Sequence, residues 1–199
     1  MDSTVWDDRY RGRDFVWTVE PNRFLVEVAG ELEPRRALDL AAGEGRNAVW
    51  LAARGWEVTA VDWSEVGIDK GRRLAAHHDV GVTWVQADLT TWRPPHQAFE
   101  LVAILYLQVP PLHRRAVWTA ATEAVAPGGR LVVVGHDLHN LTDGYGGPSA
   151  PEVLYTADEV RGVVEPLLPI ERADTVLRPV ETGEGVRYAI DNVTVARRP

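Results

Sequence analysis

Residues 37–62 read Ala37-Leu-Asp-Leu-Ala-Ala-Gly-Glu-Gly-Arg-Asn-Ala-Val-Trp-Leu-Ala-Ala-Arg-Gly-Trp-Glu-Val-Thr-Ala-Val-Asp62. The order is a short apolar strand, a glycine loop, a helix, a second apolar strand and an acid at its end. That order makes the first half of a nucleotide-type binding unit. Gly43 and Gly45 lack Cβ atoms, so the backbone turns sharply there and a ligand can approach it closely. The helix expected over 46–54 points its first N–H groups at the same spot. Asp62 stands where a carboxylate can accept bonds from two ribose hydroxyls.

Two cofactor classes use such loops. Gly43-Glu44-Gly45-Arg46-Asn47-Ala48 satisfies G-x-G-x-x-A, a dinucleotide fingerprint, so an NAD(P)-dependent oxidoreductase is one reading. Three features favour a different cofactor. Glu44 would meet a pyrophosphate with like charge. Asp39, in the preceding strand, adds a second carboxylate, and two acids suit a cofactor with cationic groups. Val82-Thr-Trp-Val-Gln-Ala-Asp88 is a further strand ending in an acid, placed to accept a bond from an adenine amino group.

The chain resembles the class I S-adenosylmethionine-dependent methyltransferases. The resemblance is carried by Leu38-Asp39-Leu40-Ala41-Ala42-Gly43-Glu44-Gly45, by Val61-Asp62-Trp63-Ser64, by Gln86-Ala87-Asp88-Leu89 and by Ala126-Pro127-Gly128-Gly129-Arg130-Leu131. These segments run in the family's order across about half the chain. Trp6-Asp7-Asp8-Arg9-Tyr10, Glu20-Pro21-Asn22 and the Gly45-Arg46-Asn47 continuation look like the branch of tellurite-resistance, thiopurine- and thiol-type methyltransferases. Ala42 departs from many relatives, which carry Cys there. The resemblance implies S-adenosylmethionine as cofactor and S-adenosylhomocysteine as product. It implies a cofactor site of Asp39 near the methionine part, Ala41, Gly43, Gly45 and Arg46 in the loop, and Asp62 on the ribose. Trp63, Asp88 and Leu89 would surround the adenine, Leu105 would end the fourth strand beside it, and Tyr10 and Trp17 would close over it. Arg46 can instead bind an anionic substrate or brace the loop. A protein that binds the cofactor without catalysis is the other alternative.

Composition bounds the rest. A chain of 199 residues suits one domain, with a cap and helix over 1–35 and a cofactor-binding core over 36–199. With 21 basic against 29 acidic residues, the net charge of −8 argues against nucleic-acid or anionic-membrane partners. There is no cysteine, which excludes disulfides, thiolate metal sites and cysteine nucleophiles. No run of about 18 apolar residues is present and the N-terminus is charged, so a cytoplasmic protein is expected. The resemblance, in a chain with little room for a recognition module, implies a small-molecule methyl acceptor, with monomer or homodimer left open. Lys70, the only lysine, reads as a bias of composition.

The pattern alternates along the chain. Phe24, Leu25, Val28 and Leu32 predict a helix after Pro21. Strands are expected at 36–41, 57–61, 82–86, 99–105 and 130–135, with helices at 65–78 and from Pro110-Pro111 to about 126. Thr156-Ala-Asp-Glu159 is a capping box for one more helix. Residues 169–180 and 185–197 alternate as a final pair. The expected fold is therefore α/β: a Rossmann-like, doubly wound, mostly parallel seven-stranded sheet. Helices cover both faces, and a C-terminal antiparallel strand pair completes it.

Ligands of such sheets bind outside the carboxyl ends of the strands. The loop at 136–155, about 20 residues with no regular pattern, is expected there as a substrate-side lid. A sulfonium donor is already activated, so the chain must mainly align the reactants and exclude water. A thiolate or tellurite needs no base, whereas a phenol or amine needs one. His136 is the candidate base and Asp137 its orienter, with Tyr106 and Gln108 near the transferred methyl group. No His, Asp or Glu cluster has metal-ligand spacing. The acceptor itself is open among thiols, oxyanions and phenols or quinols.

Overall fold

In a computed structural model, residues 4–12, 15, 16 and 18–199 are described. Strands β1 (Arg36–Leu40), β2 (Glu57–Asp62), β3 (Thr83–Gln86), β4 (Phe99–Leu105), β5 (Val125–His136), β6 (Ile170–Thr182) and β7 (Gly185–Arg197) form one sheet. Its order is β3-β2-β1-β4-β5-β7-β6. The first five strands run parallel, and β7 is antiparallel to both β5 and β6. This is the expected architecture. The strand order reverses between β1 and β4, which opens a crevice at their carboxyl ends.

Among the described residues the α-helices are α1 (Thr4–Arg11), α2 (Arg23–Ala29), α3 (Arg46–Ala52), α4 (Glu65–His77), α5 (Pro111–Ala124), α6 (Asn140–Asp143) and α7 (Ala157–Val164). Local chemistry sets their starts. Asn22 caps α2 by accepting from the Phe24 and Leu25 amides, Ser64 caps α4 through the Gly67 amide, and Thr156 caps α7 through the Glu159 amide. Pro111 opens α5 with its φ preset for a helix.

Side chains of the buried strands alternate between two cores. Leu38, Leu40, Val102, Ile104, Leu131 and Val133 pack with α5 and α7 on one face. Ala37, Leu101, Ala103, Val132, Val134 and Val193 pack with α2 and α3 on the other. Asp39 and His136 continue the second series, so both belong to the α2–α3 face. That face holds the polar chemistry described below.

Two expectations need correction. Strand β5 begins at Val125, five residues earlier than read, with its pairing to β4 interrupted by an irregularity between Phe99 and Leu101. The 126–129 turn residues are thus carried inside the strand. The 136–155 connection also holds regular structure: α6 and a 3₁₀ turn over Pro151–Val153. Asn140 organises it, because its buried amide donates to the Gly146 carbonyl and accepts from the Ile190 amide. The segment is a wall fastened to β7, not a lid lacking internal structure.

Gly45 has φ +79°, and a Cβ there would lie 2.4 Å from the Trp84 ring. The same ring fills the space a Cβ would take at Gly71 on α4, at 2.3 Å. Trp84 therefore wedges between α3 and α4. Gly71→Ala should destabilise the protein by about 1–3 kcal/mol, although helix propensity alone favours Ala by about 1 kcal/mol. Urea unfolding reads the sign: a more stable variant would show that the wedge has room.

Candidate functional site

The glycine loop leaves β1 through Ala41, whose φ is +61°. Tyr106, leaving the neighbouring β4, has φ +59°. Two non-glycine residues with left-handed backbone thus stand side by side at the crevice, a conformation held only where surrounding structure enforces it. For Tyr106 the enforcement is visible: its amide donates to the Val134 carbonyl of β5.

Asp62 organises the floor. Its Oδ2 accepts from the Gly43 amide at 2.8 Å and its Oδ1 from the Ser64 amide at 2.9 Å. Burial pushes its pKa up, and these backbone hydrogen bonds oppose the shift. Around it lies a recess of about 560 Å³, its solvent-open mouth included, walled by Trp6, Tyr10, Ala41, Trp63, Asp88, Leu89, Tyr106 and Gln108 among others. Asp88 turns one oxygen to the amide and hydroxyl of Thr90. Its burial is outweighed by those bonds, and its pKa falls.

A larger cleft of about 1850 Å³, including its solvent-open mouth, continues from this cavity past the glycine loop. Gly43, Arg46, Leu105, Tyr106 and His136 line it, and Tyr145, Gly147, Pro148, Arg178 and Pro179 form its far wall. Tyr10 borders both spaces, and a Cβ on Gly43 would lie 2.8 Å from its hydroxyl oxygen. Helix α1 therefore covers the junction of the two spaces.

Asp39 does not border either space. It is 1% exposed, and neither carboxylate oxygen has a hydrogen-bond partner. Burial first, and then the nearby Asp62 charge, push its pKa up to about 7, against the opposing pull of Arg46 and the Ala48 amide. Its charge couples to Arg46, which lines the cleft. Gly45 likewise serves the α3–α4 packing and lines neither cavity. Trp17 lies outside the described residues.

Glu44 and Lys70 need correction together. Glu44 does not face the cleft as a free charge; it pairs with Lys70 at 2.9 Å and accepts from the Val16 amide. It therefore weighs little against a pyrophosphate. Lys70 also donates to the Tyr10 carbonyl, so the one lysine is a buried strap holding α1 and the following segment onto α4.

His136 lines the cleft, but the carboxylate beside it is not Asp137. Asp137 Oδ1 bonds the amide and ring of His139, and Oδ2 lies near the Thr175 hydroxyl; neither reaches His136. Alternation explains this, since adjacent strand residues point to opposite faces. The partner of His136 is Asp191 on β7, with Nδ1 and Oδ1 3.1 Å apart. His136 and Asp191 are directly opposed in the β5–β7 ladder, which puts both side chains on one face. Asp191 Oδ2 accepts from the Tyr106 hydroxyl at 2.8 Å and from Arg178 Nε at 2.6 Å. Burial opposes its ionisation, yet the His136, Arg178 and Tyr106 bonds prevail and hold its pKa low. Burial and the Asp191 charge drive the Tyr106 pKa well up. Asp191 is absent from the sequence-derived set. Its signal was there: Asp191-Asn192 interrupts an otherwise apolar and threonine-bearing strand end.

Among the described residues no group of three or more His, Cys, Asp or Glu is placed to hold a metal ion. No described helix is long and apolar enough to cross a membrane.

Residues 37–129 match the family model described as a methyltransferase domain. Demethylmenaquinone methyltransferase from Clavibacter sepedonicus is 37% identical over 122 residues, which is 61% of this chain and 48% of that protein. A ubiquinone biosynthesis O-methyltransferase from Alkalilimnicola ehrlichii is 32% identical over 111 residues, covering 55% and 44%. The chain thus spans about half the length of these curated relatives. The N-methyltransferase NodS from Bradyrhizobium japonicum, solved with S-adenosylhomocysteine, superposes with a TM-score of 0.75 at 14% identity, over 100% of both chains. Residues 37–129 therefore carry a methyltransferase domain, set in a fold shared with solved S-adenosylmethionine-dependent methyltransferases.

Proposed function

We propose that this chain is an enzyme that transfers a methyl group from S-adenosylmethionine to a small-molecule acceptor of thiol, oxyanion or phenol/quinol type. The observation that carries the reading is the pair of joined spaces beneath α1. One is walled by Asp62, Trp63, Asp88 and Leu89, as a nucleoside requires. The other runs past Arg46 and the glycine loop to His136 and Arg178. Donor and acceptor can then meet at the Tyr10–Tyr106 junction, screened from water.

The residues fit the cofactor. Asp62 retains lone pairs for ribose hydroxyls beside its two backbone bonds. Asp39 keeps two unpartnered oxygens beneath the loop, a buried carboxyl that favours an ammonium above it once it is ionised. Arg46, at the first position of α3, offers a guanidinium to the carboxylate of the methionine part. The bound cofactor supplies an electrophilic methyl group, so the chain need only orient the acceptor and manage its proton. The curated relatives are named for quinone-type acceptors, which supports an aromatic small molecule over a macromolecule.

Two measurements test this. Calorimetry should give S-adenosylhomocysteine a dissociation constant in the micromolar range, about −8 kcal/mol. Asp62→Asn should weaken it by about tenfold or more, the worth of a charge-assisted hydrogen bond. Binding of NADH with no response to S-adenosylhomocysteine would sink the proposal.

Asp39 provides a pH-dependent test. Its folded pKa, about 7, lies above the ordinary value of 3.8, so the native state holds the extra proton. The stability it contributes is full below about pH 4 and is lost as pH rises through about 7. Asp39→Asn should therefore gain thermal stability relative to the parent as pH increases across that window. At pH 8 the same variant should bind S-adenosylhomocysteine about tenfold more weakly, ~1.4 kcal/mol. A stability difference that is flat with pH would remove the assigned titration.

A further inference from the structure

We propose that His136 and Asp191 form a proton-accepting dyad, and that the acceptor is a phenol-type hydroxyl bound against His136 Nε2 in the cleft. The inference rests on the methyl-transfer reading above and names its substrate class.

The tautomer follows from geometry. Asp191 is fully buried, and its Oδ2 is already occupied by Tyr106 and Arg178. Its Oδ1 faces His136 Nδ1 at 3.1 Å. An ionised carboxylate can only accept, so the hydrogen between them belongs to Nδ1. Nε2 then carries the lone pair, and His136 borders the cleft. The titratable and charged groups around the ring are Asp191 on β7, Arg178 on β6, Tyr106 after β4 and Arg46 across the cleft. The Tyr106 ring lies 4.8 Å from the imidazole, centroid to centroid, and fixes its tilt.

A base of this kind selects among acceptors. A thiol ionises near neutral pH without one. An aliphatic alcohol is a far weaker acid than a phenol, so its proton is the harder one for an imidazole to take. A phenol, with a pKa near 10 against about 6.5 for imidazole, is the hydroxyl whose proton a histidine can take during the reaction. The walls agree: Tyr145, Pro148, Pro179 and Val180 offer an aromatic and apolar slot, and Arg178 sets a positive charge beside the developing phenolate. In the step, the hydroxyl proton passes to His136 Nε2 while an oxygen lone pair forms the O–CH₃ bond. The S–CH₃ bond breaks with its electron pair left on sulfur. The products are a methyl ether, S-adenosylhomocysteine and an imidazolium that Asp191 stabilises until it loses the proton to water. His136 is the catalytic residue and Asp191 its positioning residue.

Long-range proton–nitrogen NMR on the protein without cofactor tests the dyad directly. The neutral His136 ring should show a protonated Nδ1 and a bare Nε2, and Asp191→Asn should abolish that preference. An Nε2–H tautomer in the parent protein would overturn the proposal. Single-turnover rates on phenols of graded acidity test the chemistry. His136→Gln should lose roughly 10²- to 10⁴-fold on a weakly acidic phenol. The loss should shrink on para-nitrophenol, which ionises by itself, and Asp191→Asn should show the same trend. A loss independent of acceptor acidity would assign both residues to structure alone and overturn the proposal. S-adenosylhomocysteine calorimetry on each variant establishes that its site is folded. Cofactor binding with methylation of thiols but of no phenol would defeat this inference and leave the proposed function standing. Absence of cofactor binding would defeat both.

Discussion

The Asp62 carboxylate holds the site in one piece. One oxygen takes the amide of Gly43 and the other the amide of Ser64, so a single side chain joins the loop after β1 to the start of α4. Without it, two backbone amides at the crevice would face a buried space unpaired, at about 1–3 kcal/mol each. The same bonds place Ser64 to cap α4, and α4 carries Lys70, whose ammonium reaches the Tyr10 carbonyl. The covering helix α1 is thus held, through α4, by Asp62.

The strain at Ala41 and Tyr106 belongs to the same arrangement. These residues end adjacent parallel strands, where the chain must turn away from the sheet in opposite directions. Left-handed backbone lets each turn within one residue, so that the Tyr106 ring swings over the crevice instead of into the core. The cost is met by the Val134 carbonyl, which fixes the Tyr106 amide, and by the Asp191 carboxylate, which fixes its hydroxyl. Tyr106 is thereby shared between the two cavities.

The cofactor half was legible in the sequence because it is local. Strand, loop, helix, strand and acid follow one another within residues 37–62, and apolar runs with Gly, Ser and Asp punctuation suffice to order them. Sheet order and the final antiparallel pair followed from alternation. What escaped was long-range or hidden in a charge. Glu44 looked like a free acid because its partner, Lys70, lies 26 residues away on α4. Asp137 looked like the natural orienter of His136 because it is the next residue, yet adjacent strand residues face opposite ways. Asp191, 55 residues on, becomes the neighbour only once the β5–β7 register is known. Asn140 turned an apparent lid into a wall through bonds that periodicity cannot foresee.

This difference divides the molecule by labour. The loops after β1, β2 and β3 bring Ala41, Asp62, Trp63, Asp88 and Leu89 to the smaller cavity from one short stretch of sequence. The antiparallel hairpin of β6 and β7 contributes Arg178, Pro179, Val180 and Asp191, and its register against β5 alone sets where they stand. A one-residue slip there would turn Asp191 to the other face and leave His136 without its carboxylate, while Asp62 and the glycine loop kept their geometry. The His136 side of the cleft can therefore change on a scaffold whose Asp62 side does not. Families that share one donor and diverge in acceptor are the expected outcome of such a division, since function resides in sites carried by a fold and not in the fold itself.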